Sequence, residues 1–206
     1  MIQDKFTSGE LLVEGDMQLY YEFHGSRQPG EVLVFIHGHS VDCRMWEQQI
    51  KYFSKRYPVL CYDMRGYGRS SLPIEGNDYM HAEDLLLLLQ RLDIKAVHLI
   101  GLSLGSFVAL DFLALFPERV RSVTVASGAI PDSKSTEPVP LITDVANYKR
   151  DWYEGLLRGC APDRNGYREQ LWDMITDWTA CQHTQRDSEN LLGDRLLPRL
   201  SNIQTI

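Results

Sequence analysis

No stretch of this chain is apolar for long enough to cross a bilayer. The longest run, residues 85–89, falls far short of the roughly 20 residues that a spanning helix requires. The first residues, MIQDKFTSGE, hold no apolar segment of the signal-peptide kind. A basic excess is missing too: 21 Lys and Arg stand against 28 Asp and Glu, a net charge of -7. That balance favours solubility and argues against a nucleic-acid partner, which would want a basic face. Cysteine is scarce, at positions 43, 61, 160 and 181, with no CxxC pair. Such spacing suits neither a zinc site nor a disulfide framework, so the four read as free thiols. Repeats and low-complexity tracts are absent. What remains is a globular protein expected in the cytoplasm, with a small molecule as its partner and neither nucleic acid nor membrane.

The order of elements carries the next layer of information. Residues 11–23 alternate loosely and break at Glu14-Gly15-Asp16, as an antiparallel hairpin would. Residues 32–36 (VLVFI) and 59–62 (VLCY) are short apolar runs of the kind buried on both faces of a sheet. Trp46, Ile50 and Phe53 recur at helical spacing between them. A leucine-rich helix is expected over residues 79–92, a strand over 96–100, a helix over 106–116 stopped by Pro117, and a strand over 120–126. Strands alternating with helices imply a mostly parallel sheet covered on both faces, an α/β fold. Residues 132–140 read as a polar, proline-containing linker, and from residue 143 to about 197 the pattern is helical. Trp152, Trp172 and Trp178 fall in that helical part. Either they pack an ordinary helical insertion, or they belong to a cap whose aromatic rings line an apolar pocket. The expected division is a core over 1–131, a helical cap over 132–200, and the start of a return to the core over 201–206.

Gly101-Leu102-Ser103-Leu104-Gly105 lies between the strand and the helix that follows it. A serine on so sharp a turn leaves no room for side chains two residues to either side, hence Gly101 and Gly105. The hydroxyl then stands clear at the carboxyl end of the sheet as a candidate nucleophile. The N–H of Leu104, at the amino end of the next helix, faces a developing oxyanion. The loop after residues 32–36, His37-Gly38-His39-Ser40, is placed to supply a second donor, the N–H of His39. Gly38 lets that backbone approach closely, and His37 is read as a loop brace.

At these residues the chain resembles the α/β-hydrolase superfamily. The resemblance runs from the HG motif through DMRGYGRS and GLSLG to the FPERV segment, roughly residues 10 to 130. It is most similar in flavour to small cofactor-free esterases, lactonases and peptidases. The resemblance implies acyl transfer from an ester, lactone or amide through an acyl-enzyme on Ser103, with no metal or organic cofactor. It also implies that Asp63 and Arg65 are structural braces beside the site. In that superfamily an acid and then a histidine follow the nucleophile, and the usual strands that carry them have no counterpart before Ile206. Within the chain, Asp132 is the candidate acid. His183, the histidine that follows Ser103, is the candidate base, although its neighbours Cys181, Gln182 and Thr184 suggest an exposed position. Three expectations stand side by side: a portion of a hydrolase completed elsewhere, an inactive truncated form, or a ligand-binding or signalling relative. Residues 122–126 would form a bare sheet edge, inviting self-association or a complementing segment.

Overall fold

The computed structural model describes residues 6–25, 32–128, 141–158, 166–185 and 191–203. Its centre is a six-stranded sheet of order β1-β2-β4-β3-β5-β6. Strands β1 (Phe6–Glu14) and β2 (Met17–His24) make the expected hairpin, which turns at Gly15 with φ +52°. β2 then pairs antiparallel with β4 (Val59–Tyr62). From there inward the sheet is parallel: β4 with β3 (Val32–Ile36), β3 with β5 (Val97–Leu102), and β5 with β6 (Val120–Ala126).

Alternation along the central strands sorts two cores. Val34 and Ile36 of β3, with Leu60 and Tyr62 of β4, face one side. They pack there with Leu85, Leu88 and Leu89 of α2 (His81–Arg91) and with Val108, Ala109 and Phe112 of α3 (Leu104–Leu115). Phe35, Val59 and Cys61 face the other side, against Cys43, Trp46 and Ile50. The last three come from a 3-10 turn over Cys43–Trp46 and from α1 (Glu47–Phe53). A period of two on the strands thus serves two apolar layers at once, which is why those strands read as continuous hydrophobic runs.

β5 and α3 follow one another more closely in sequence than the expected bounds place them. The expectation placed the strand end at residue 100 and the helix start at 106; the strand continues to Leu102 and the helix begins at Leu104. Gly101 and Gly105 therefore lie inside the two elements, at points of close approach. β6 is an edge strand, bonded to β5 alone among the described residues, and Val125 on it is 42% exposed.

Beyond residue 140 the described residues add helices: α4 (Val145–Leu157), α5 (Tyr167–Asp177), α6 (Cys181–Thr184) and α7 (Leu196–Leu200). α7 lies on α3, and the buried carboxylate of Asp111 in α3 accepts the Leu192 N–H at 2.9 Å. The expected core-to-cap boundary, with Asp132, falls outside the described residues, as does Cys160. Cys43, Cys61 and Cys181 are free thiols, all buried.

Candidate active site

Ser103 occupies the single-residue turn between β5 and α3 with φ 51° and ψ −114°. A non-glycine residue at positive φ is strained by about 1–3 kcal/mol and persists only where its surroundings dictate it. Those surroundings are explicit. A Cβ at 101 would lie 2.1 Å from the Gly105 carbonyl oxygen, and one at 105 would lie 2.3 Å from that of Ile36. The Ser103 N–H donates to Ala126 O at 2.8 Å, which ties the turn to β6. Ser106, one turn into the helix and fully buried, shares its hydroxyl proton between Gly101 O at 2.7 Å and Ala126 O at 2.9 Å. Its oxygen accepts the Ala126 N–H at 3.2 Å. Sequence reading missed this residue, although a hydroxyl three positions after the nucleophile was there to be asked about.

The His37-Gly38-His39-Ser40 loop leaves β3, the strand next to β5, and lies against the elbow. A Cβ at 38 would be 3.4 Å from Leu102 O and 3.7 Å from Ser103 Cβ. His37 is fully buried with both ring nitrogens engaged: Nδ1–H donates to Gly38 O at 2.8 Å, and Nε2 accepts the Met64 N–H at 2.9 Å. Burial keeps this imidazole below its ordinary pKa and neutral, against the pull of the Asp63 charge. Within the described residues, the backbone N–H groups of His39 and Leu104 donate to no backbone acceptor. For Leu104 this follows from its place at the start of α3, where the first N–H groups have no intrahelical partner.

The side chain of His39 faces elsewhere. Its Nδ1 meets Tyr67 Oη at 2.8 Å, and its Nε2 meets His183 Nε2 at 3.0 Å. His183 is therefore half-buried rather than exposed, its Nε2 also 3.2 Å from Tyr148 Oη. Trp178 and Trp152 pack edge-on against the His39 ring, at centroid distances of 4.7 and 5.6 Å. Trp172, the third aromatic of the helical part, packs on Tyr153 instead. Burial and the neighbouring His183 and His37 lower the His39 pKa to about 4. Among the described residues no hydrogen bond joins Ser103 Oγ to His183, or to any other of the six histidines. His98 bonds Ser122 Oγ at 2.7 Å on the strand pair next to the elbow.

Asp63 and Arg65 are both engaged by neighbouring loops and helices. Asp63, fully buried, accepts the Cys43 N–H and the Arg69 N–H, each at 2.9 Å, and the Arg69 Nε–H at 3.2 Å. Arg65 forks onto Asp84 of α2 at 2.9 and 2.5 Å and stacks over Tyr79. Among the described residues, two side-chain groups have the spacing to hold a metal ion, Glu22 with Cys43 and Cys61, and Asp42 with Cys43 and Asp63. Guanidinium groups already neutralise both: Arg69 beside Glu22 and Asp63, and Arg44 on Asp42.

A family model for the alpha/beta hydrolase fold matches residues 31–171, and the chain belongs to that family. It is 34% identical over 127 residues to 3-oxoadipate enol-lactonase 2 of Acinetobacter baylyi, covering 60% of this chain and 46% of that protein. Among solved structures, a bromoperoxidase from Bacillus anthracis superposes with a TM-score of 0.67 at 26% identity, covering 88% of this chain and 75% of that one. An N-acyl homoserine lactone degrading enzyme superposes with a TM-score of 0.60 at 25% identity, covering 92% and 70%. The chain spans about half the length of the curated relatives it matches.

Proposed function

We propose that this chain carries the nucleophile and oxyanion donors of a serine hydrolase acting on a small ester, lactone or amide. The observation that carries the reading is the elbow itself: Ser103 held at φ 51° with the Gly38 loop against its Cβ. Ser103 Oγ attacks the carbonyl carbon, and the N–H groups of Leu104 and His39 receive the resulting oxyanion. Collapse expels the alcohol or amine and leaves an acyl-enzyme, which water then cleaves. The residues before about 131 form the core and those from 132 to 200 the cap that sets substrate choice. The reaction requires no cofactor. Naming by two relatives as lactone-directed enzymes supports the substrate class.

Asp132 stays a candidate acid. For the base, His183 Nε2 is directed at His39, so a proton transfer from Ser103 to His183 requires α6 to shift; otherwise a histidine from another segment or chain serves. The same observation favours a second reading, a ligand-binding relative without turnover. No helix of the described residues is long and apolar enough to cross a membrane; a small-molecule partner and a cytoplasmic setting belong to the proposal. The open edge of β6 is the proposed place for self-association or a complementing segment.

Intact mass after incubation with a fluorophosphonate tests the reading, with Ser103→Ala as control. One adduct per chain that vanishes in the variant is expected. An unlabelled chain, together with a ligand whose affinity Ser103→Ala leaves unchanged, would favour the binding protein.

A further inference from the structure

Two consecutive peptide units flank the N–H of His39, and each is pinned by a different part of the molecule. The unit that contains this N–H also contains the Gly38 carbonyl, which accepts from His37 Nδ1–H at 2.8 Å. That clamp comes from the core. The next unit contains the His39 carbonyl, which accepts from Ser40 Oγ–H at 2.6 Å. Ser40 is fully buried and sits at φ 64°, a left-handed conformation costly for a residue with a side chain. Its oxygen in turn accepts the indole N–H of Trp152 at 2.6 Å. Trp152 belongs to α4, so this second clamp reaches the loop from the helical segment, 112 positions away in sequence.

We propose that Trp152 is a positioning residue for the oxyanion donor, acting through Ser40 on the His39 peptide. The proposal rests on the acyl-transfer reading above and extends it to residues outside the elbow. A donor must be fixed before charge develops, because reorienting it during the reaction forfeits part of the stabilisation. Ser40 at positive φ has no intrinsic reason to stay there; the relay Trp152 N–H to Ser40 Oγ to His39 O supplies one. The helical segment and the oxyanion donor are thereby coupled. Withdrawal of α4 from the loop removes the outer clamp while the inner His37 clamp remains.

The test uses Trp152→Phe, Ser40→Ala and the double variant in the full chain, with hydrolysis of p-nitrophenyl butyrate as the assay. Trp152→Phe keeps an aromatic ring against His39 and deletes only the donor. The expected result is a fall in kcat of roughly tenfold with KM within about twofold, since the donor acts in the transition state. Ser40→Ala should fall by a similar factor, and the double variant no further than the worse single, as members of one relay do. Hydrogen exchange of the peptide spanning residues 37–46 should rise in both variants while that of α3 does not, which separates loosening of the loop from general unfolding. A raised KM with kcat unchanged in Trp152→Phe, or additive effects in the double variant, would overturn the proposal and leave Trp152 a lining residue. Absence of both hydrolysis and fluorophosphonate labelling in the unaltered chain, together with a ligand that Ser103→Ala binds equally well, overturns the acyl-transfer reading itself, whatever the exchange data show.

Discussion

His39 Nε2 and His183 Nε2 meet at 3.0 Å across 144 positions of chain. Two ring nitrogens at that distance share one proton; a second would set two N–H groups against each other. The contact therefore holds while at least one of the two rings is neutral, and it joins α6 to the loop beside Ser103.

Stability should fall as the solution is acidified below neutrality. Burial lowers His39 to about 4 and His81 to about 3, and lowers His37 as well. Each folded value lies below the unfolded value near 6.5, so the unfolded chain binds more protons as pH drops. Their contribution is complete above about 6.5 and is lost on the way down towards 4 and 3, at up to about 1.4 kcal/mol per pH unit for each ring. His24 works in the opposite sense. Burial disfavours its charge, but Cys61 and Glu22 outweigh that and hold it at about 9, so its contribution is lost as pH rises through that value. Urea midpoints measured from pH 4.5 to 9.5 should trace a maximum between these limits, and a midpoint still rising below pH 5 would contradict the assignment.

Substituting the elbow glycines should separate close approach from flexibility. Gly105→Ala drives a methyl to 2.3 Å from the Ile36 carbonyl oxygen, and a loss above about 3 kcal/mol or failure to fold is expected. Gly155→Ala is the contrast, since nothing lies within 4 Å of a Cβ there and the residue is helical. It should stabilise the protein by about 0.5–1 kcal/mol. Equal effects of the two in a denaturant titration would refute the packing argument.

Asp63→Ala removes three acceptor contacts at once and leaves the Arg69 guanidinium and the Cys43 N–H without them. A cost of about 1–3 kcal/mol is expected, chiefly from the buried Cys43 N–H left without its acceptor, because the Arg69 guanidinium is half-exposed and keeps Glu22 beside it. The variant that does fold should keep the rate of fluorophosphonate labelling, because Asp63 braces loops and touches no reacting atom. A labelling rate reduced a hundredfold with stability unchanged would reverse that assignment.

Sedimentation velocity over a range of concentrations tests the edge of β6. Association that grows with concentration is expected, and Val125→Lys, which places a charge on the exposed edge, should suppress it. A monomer at every concentration would remove self-association from the proposal.

Legibility in the sequence followed the distance over which each feature is encoded. The elbow was readable because Gly101, Ser103 and Gly105 are two positions apart and the flanking residues are strand-like before and helical after. The parallel sheet was readable because VLVFI and VLCY are buried on both faces and carry no polar residue. The cluster around His39 was not. Tyr67, the α4 pair Tyr148 and Trp152, and His183 come from three separate segments, and no local period reports on the meeting of those segments. His183 looked exposed because its immediate neighbours are polar. Those neighbours instead turn onto the body of the protein, where Gln182 Nε2 donates to Gly66 O at 3.3 Å and Cys181 Sγ contacts the same oxygen at 3.7 Å. Polarity marked hydrogen bonding to a loop rather than to water.

Ile36 pairs with Gly101 across β3 and β5, one residue before His37 and two before Ser103. The nucleophile and its candidate donors are therefore spaced by a ladder of backbone hydrogen bonds. A single-residue insertion in β3 would carry the donor loop about 3.3 Å along the strand and turn the inward side chains outward. Extra residues in the loop after Ser40, or in the helical segment beyond α4, would leave that spacing untouched. Tolerance to changes in length should thus be divided sharply between neighbouring stretches of the chain: rigid across 32–40 and 97–105, and more permissive in loops that keep Trp152 on Ser40, so that substrate preference can drift while the reacting groups keep their separation.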